Sequence, residues 1–181
     1  MKTKSSLLGM TALLFLTLGF VKPGDWFLLT SEAFQIEFPK KPIADTKAIA
    51  SDIGPLEMKL FIHDASQGGK DDNFVYMLMH TEYPDSLVNS ETLSDVPAFL
   101  KASAEGAANN VGGKLLSDVD IELDGFPGKE IKIDFRDGLA IIKMRFYLVK
   151  NKMYVIQAIT ETGKFPNKSV DRFMDSFKLL K

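Results

Sequence analysis

Lys143, Arg145 and Tyr147 stand at alternate positions of one predicted strand, so two cations and a phenol share a face. Such a stripe can receive an anionic ligand or an acidic partner surface, and it also suits an ordinary solvated face, which is the simpler reading. Asp118, Asp120, Glu122 and Asp124 put carboxylates at alternate positions of a second strand. Like charges that close repel, so the row binds a cation or a basic partner, or it pairs with Lys132 or Arg136 on the next strand; pairing is the simpler reading. His63 and His80 each fall in or at the end of a strand, with no His or Cys companion at metal spacing, so structural roles are expected of both.

Other chemistries fail on spacing. No Gly-x-Ser-x-Gly occurs, so a hydrolase nucleophile has no elbow to sit on. Gly112-Gly113-Lys114 lacks a phosphate loop's first glycine, where Ala108 stands, and has Leu115 after the lysine; the glycines read as a helix end. Asp71-Asp72-Asn73, after Gly68-Gly69-Lys70, lacks the D-x-D-x-D-G spacing of a calcium loop and reads as a polar hairpin tip. The sequence therefore nominates no catalytic, cofactor-binding or metal-ligating residue.

The chain has no cysteine, which excludes disulfide-linked partners, thiolate metal sites and a lipidated cysteine. Met1-Lys2-Thr3-Lys4 followed by the apolar stretch Leu7 to Val21 fits the basic and apolar regions of a secretory signal. Residues 1–19 are read as that signal and 20–181 as a single domain, exported to the periplasm or the extracellular space. An uncleaved N-terminal anchor is the alternative, and membrane contact is expected only if that segment is retained. Removing residues 1–19 takes away Lys2 and Lys4 and moves the formal net charge from −2 to −4. A mildly acidic surface with no basic run excludes nucleic acid as a partner.

These residues need a sheet to hold them. Ala140, Ile142, Met144, Phe146 and Leu148 form the apolar face opposite Lys143, and Tyr154, Ile156 and Ala158 continue it across a turn at Asn151-Lys152. Val119 to Leu123 and Ile131 to Phe135 alternate in the same way, separated by Gly125-Phe126-Pro127-Gly128, which completes a four-strand meander. Phe34 to Phe38, Thr46 to Ala50, Leu56 to Ile62 and Phe74 to Glu82 add strands upstream. The last is apolar on both faces, which predicts a central position with helices on both sides of the sheet. One helix follows from Val96, Phe99, Leu100, Ser103, Ala107 and Val111, capped by Ser94 or Asp95 with Pro97 in its first turn. The other follows from Val170, Phe173, Met174 and Phe177 behind an Asn167 cap. Trp26 is expected to pack the N-terminal strand against the sheet.

The order of Trp26, Phe34-Gln35-Ile36-Glu37-Phe38-Pro39, a helix, Gly125-Phe126-Pro127-Gly128-Lys129-Glu130, Met153-Tyr154 and Arg172-Phe173 through Ser176-Phe177 resembles the small exported domains similar to the PsbP, Mog1 and DcrB proteins. The resemblance implies an α+β fold: an α/β/α sandwich with a central, mainly antiparallel sheet and two principal helices. It also implies a non-catalytic module, because members of that group act as photosystem accessory subunits, as a partner of a nuclear-transport GTPase and as envelope proteins. The expected partner is an envelope protein or complex. A carrier of small apolar ligands, or a weak enzyme, is the alternative, with a pocket between helix and sheet lined by residues such as Met77, Met79 and Tyr147.

Overall fold

The computed structural model describes residues 26–51, 54–67 and 71–180; the secretory segment at 1–19 lies outside the described residues. Ten strands and two helices follow in chain order: β1 (Phe27–Thr30), β2 (Phe34–Phe38), β3 (Ile43–Ile49), β4 (Leu56–Asp64), β5 (Asn73–Glu82), α1 (Val96–Asn110), β6 (Lys114–Leu123), β7 (Phe126–Phe135), β8 (Ala140–Val149), β9 (Lys152–Glu161), α2 (Lys168–Asp175) and β10 (Lys178–Leu179). A seven-stranded antiparallel sheet runs β3-β4-β5-β9-β8-β7-β6, and a three-stranded sheet runs β1-β2-β10. The large sheet is the middle layer. One face carries α1, and the other carries α2 together with the small sheet.

Each helix is held by the residues that specify it. Asp95 caps α1 by accepting from the Ala98 N–H at 2.9 Å. Val96, Leu100, Ala104 and Ala108 recur every fourth residue and are buried, so the covered stripe lies beside Ser103, and Val111 faces outward. Its alanines allow close approach to β7, β6 and β8. Asn167 caps α2 by accepting from the Val170 N–H at 3.0 Å. Val170, Phe173 and Met174 are buried beneath that helix, and Phe177 follows just past its end.

β5 lies third from one edge, as its two apolar faces predict. Tyr76 and Leu78 are fully buried toward α2 and β2. Met77 is only half-covered, because α1 packs over the β6-β7-β8 half of the opposite face. β6 to β9 form the predicted meander, with two turns placed differently. Asp124 (φ 52°) and Gly125 (φ 86°) make a two-residue turn, so Leu123 pairs with Phe126 and Phe126 to Gly128 belong to β7. Lys150 (φ 52°) and Asn151 make the β8–β9 turn, and Lys152 opens the strand. β2 joins the small sheet, and Trp26 meets Tyr76 edge-on at 5.9 Å.

Candidate functional site

The stripe Lys143, Arg145, Tyr147 lies on the β8 face that turns toward α2, and α2 covers it. Lys143 and Tyr147 are buried, and Arg145 is largely so, which corrects the expectation of a solvated face. The reason is a set of carboxylates brought in from distant parts of the chain. Glu130 is the direct neighbour of Arg145 in the β7–β8 ladder; its Oε2 lies 2.7 Å from Arg145 Nε and 3.4 Å from Lys143 Nζ. Asp175 of α2 accepts from Arg145 at 2.8 Å, and Asp171, one helical turn earlier, stands 3.6 Å from Lys143. Arg172 leaves the same helix to donate to Glu37 of β2 at 2.7 Å, and its guanidinium lies 4.5 Å from the Trp26 ring. Both strand cations are thus committed to carboxylates of their own chain, and the cluster ties α2 to the sheet.

Tyr147 belongs to a cross-strand row centred on Tyr154: Lys59, His80, Tyr154, Tyr147 and Gly128 are successive register partners. Gly128 is required there, since a Cβ would stand 2.6 Å from Tyr147 Cδ1 and would also meet the Phe146 carbonyl oxygen. The Tyr147 ring stacks on Phe177 at 6.0 Å. Phe34 of β2 closes over the row, 5.7 Å from both His80 and Tyr154. Open clefts border this aromatic seam where the two sheets part. One, about 460 Å³, has Phe126, Val149, Leu179 and Tyr154 among its walls; a second, about 290 Å³, holds Phe61, His80 and Lys59 and shares Ala33, Lys152 and Tyr154 with the first.

His80 stacks on Tyr154 at 5.6 Å, and its Nδ1 is buried without a hydrogen-bond partner. Burial, with Lys59 and Lys152 adding to it, lowers its pKa and keeps the ring neutral near pH 7. Among the described residues no acceptor orients that nitrogen, in contrast to the base of a catalytic triad. Ser31, in the same cleft, is committed to its own turn, accepting from the Phe34 N–H at 3.1 Å.

Met77 and Met79 project to the α1 face, opposite Tyr147, so the pocket expected from those three residues does not form. The clefts lie between the two sheets instead. The acidic row also finds a different cation. Lys129 donates to Asp118 at 2.6 Å and to Asp120 at 2.8 Å, and these hydrogen bonds hold its ammonium above its ordinary pKa. Lys132 points to the other face, over the Phe165 ring, and Arg136 lies in the turn over Phe135. Alternation puts Lys129, Asp118 and Asp120 on one side, a register the misplaced turn concealed.

His63 stacks on Tyr76 at 6.1 Å, beside a cleft of about 610 Å³ that also holds Asp64 and Asp71. Asp71 is not merely a hairpin tip: the Tyr76 hydroxyl donates to it at 3.0 Å, and Asn73 links the pair to Thr160 and Asn167. Among the described residues no three His, Asp or Glu side chains converge as a metal site requires.

No protein-family model matches the chain, and no curated protein matches it. Among solved structures it is similar to the solution structure of cyanobacterial PsbP (CyanoP) from Synechocystis sp. PCC 6803, with a TM-score of 0.55 and 15% identity over 90% of this chain and 96% of that one. The chain therefore has a PsbP-like fold, as the pattern of hydrophobic and turn positions implied.

Proposed function

We propose that this protein is an exported, non-catalytic accessory module of the bacterial cell envelope, periplasmic or extracellular, which works by contact with another envelope protein. The observation that carries the reading is the PsbP-like fold over 90% of the chain, since the group that the sequence resembles includes photosystem accessory subunits and envelope proteins. Two features support it. Among the described residues His80, beside the inter-sheet clefts, has no partner on Nδ1 that would orient it as a general base. Among the described residues the most exposed large apolar side chains, Ile43 and Val119, lie on the two edge strands of the large sheet. The basic and apolar pattern of residues 1–21 supports export. The test is affinity capture of the tagged chain from a detergent extract of the source envelope, read by mass spectrometry. One strongly enriched protein supports the reading, and an empty capture counts against it.

The inter-sheet cleft of about 460 Å³, with its apolar walls, favours a second reading as a carrier of a small apolar ligand. Native mass spectrometry of protein isolated from its own cells tests that reading: a bound small molecule supports it, and bare protein speaks against it.

A further inference from the structure

β3 is one end of the large sheet, and among the described residues no strand pairs with its outer side. Every residue from Ile43 to Ala48 is exposed, Ile49 is half-buried, and Ile43 is 77% exposed. A bare edge of this kind is a template for another strand unless bulges, prolines or unmatched charges defend it. The opposite edge is defended: β6 carries a register shift between Leu115 and Ser117, and a twofold pairing centred on Val119 would set Asp118 against Asp120.

β3 carries the reverse pattern. Its sequence, Ile43-Ala44-Asp45-Thr46-Lys47-Ala48-Ile49, reads the same in both directions except at its two charges, and those are opposite. An antiparallel pairing of two copies about a twofold axis at Thr46 sets Ile43 against Ile49, Ala44 against Ala48 and Asp45 against Lys47, each contact occurring twice. Neither Asp45 nor Lys47 has an ion-pair partner among the described residues. The Thr46 N–H is also free of the β4 ladder: it donates to its neighbour's carboxylate, Asp45 Oδ1, at 2.8 Å. Ala44, Thr46 and Ala48 therefore aim their main-chain groups outward, where a second copy would supply roughly six hydrogen bonds.

We propose that this protein self-associates through β3, two copies pairing antiparallel about Thr46 to join their large sheets into one. On pairing, Ile43 lies between its own register partner Ile62 and Ile49 of the second copy, which covers the most exposed large apolar side chain among the described residues. Asp45 exchanges a local backbone contact for Lys47 of the second copy, and Lys47 gains the carboxylate it lacks. Seven residues make a small interface, so the expected dissociation constant is micromolar, roughly 1–100 µM. This self-association goes beyond the accessory role and does not depend on it.

The test is sedimentation of the full chain, in mild detergent, from about 1 to 300 µM, a span chosen to bracket a small interface. The wild type is expected to pass from one copy to two. Lys47→Asp sets carboxylates against each other twice across the axis and should weaken the dimer about tenfold or more, since each cross-strand charge pair changes sign. Combining Asp45→Lys with Lys47→Asp restores opposite charges and should recover the wild-type affinity to within about threefold. Thr46→Pro removes an outward N–H that the β4 ladder does not use, so it should keep the wild-type circular dichroism while abolishing the dimer. A chain that stays single throughout this range overturns the proposal. So does a dimer that Lys47→Asp leaves unchanged, or one that the charge exchange does not restore.

Discussion

The carboxylate of Glu130 meets the guanidinium of Arg145 at 2.7 Å, the two residues being direct neighbours across β7 and β8. The same carboxylate oxygen serves Lys143, whose side chain is only 10% exposed. Glu130→Ala would leave two covered cations with only Asp171 and Asp175 of α2, and removing one partner of a buried pair typically costs about 3 kcal/mol. The expected outcome is a urea midpoint well below wild type. Glu105→Ala, which removes the exposed 3.9 Å pair with Lys101 on α1, should shift stability by less than about 0.5 kcal/mol.

Gly128→Ala should destabilise the protein by about 1–3 kcal/mol, because the new methyl group meets the Tyr147 ring and the β8 backbone, neither of which can withdraw. Gly106 gives the opposite expectation. It lies inside α1 with open space where a Cβ would stand, so Gly106→Ala should stabilise by about 0.5–1 kcal/mol. Thermal melts of the two variants check both signs.

Much of the fold was legible because it follows the period of two. The meander, both helix caps and the central place of β5 all come from alternation and from Asp95 and Asn167 at their expected positions. The turns were harder: Pro127 and Gly128 carry turn chemistry, yet they sit in a strand because the Tyr147 ring lies against the Gly128 backbone. The covered state of Lys143 and Arg145 had no local signal. Glu130, Asp171 and Asp175 reach them from another strand and from α2, and a charged stripe read alone resembles any wet strand face. The small sheet escaped notice because β10 has two residues and β1 four, too few to show alternation.

Stability should fall as pH drops through the histidine range. Burial lowers the pKa of His80, with Lys59 and Lys152 adding to it; burial also lowers that of His63, where Lys40 adds and Asp71 and Asp64 oppose. A folded-state value below the ordinary 6.5 means the unfolded chain binds the proton more readily. The contribution is complete above pH 6.5 and is lost as pH falls through the lower, folded-state value. Urea midpoints measured between pH 8 and pH 5 should decline, and His80→Phe, which keeps an aromatic ring beside Tyr154, should flatten the decline. An unchanged slope in that variant would place the proton uptake elsewhere.

Trp26, the only tryptophan, lies against Tyr76 of the large sheet and beneath Arg172 of α2. Because β2, α2 and β5 share one core, its fluorescence and the far-ultraviolet circular dichroism should lose their native signals at the same denaturant concentration. Separate midpoints would show that the small sheet and α2 release from the large sheet as a unit.

The most direct measurement is the composition and mass of the native assembly. The chain, tagged at its C-terminus and produced at its ordinary level in its own cells, is solubilised in mild detergent, captured and sized, with its companions identified by mass spectrometry. An accessory module should emerge in fixed ratio with a different envelope protein, at a mass above that of one or two copies. Recovery of the chain alone, single or paired with itself, would contradict the proposed function.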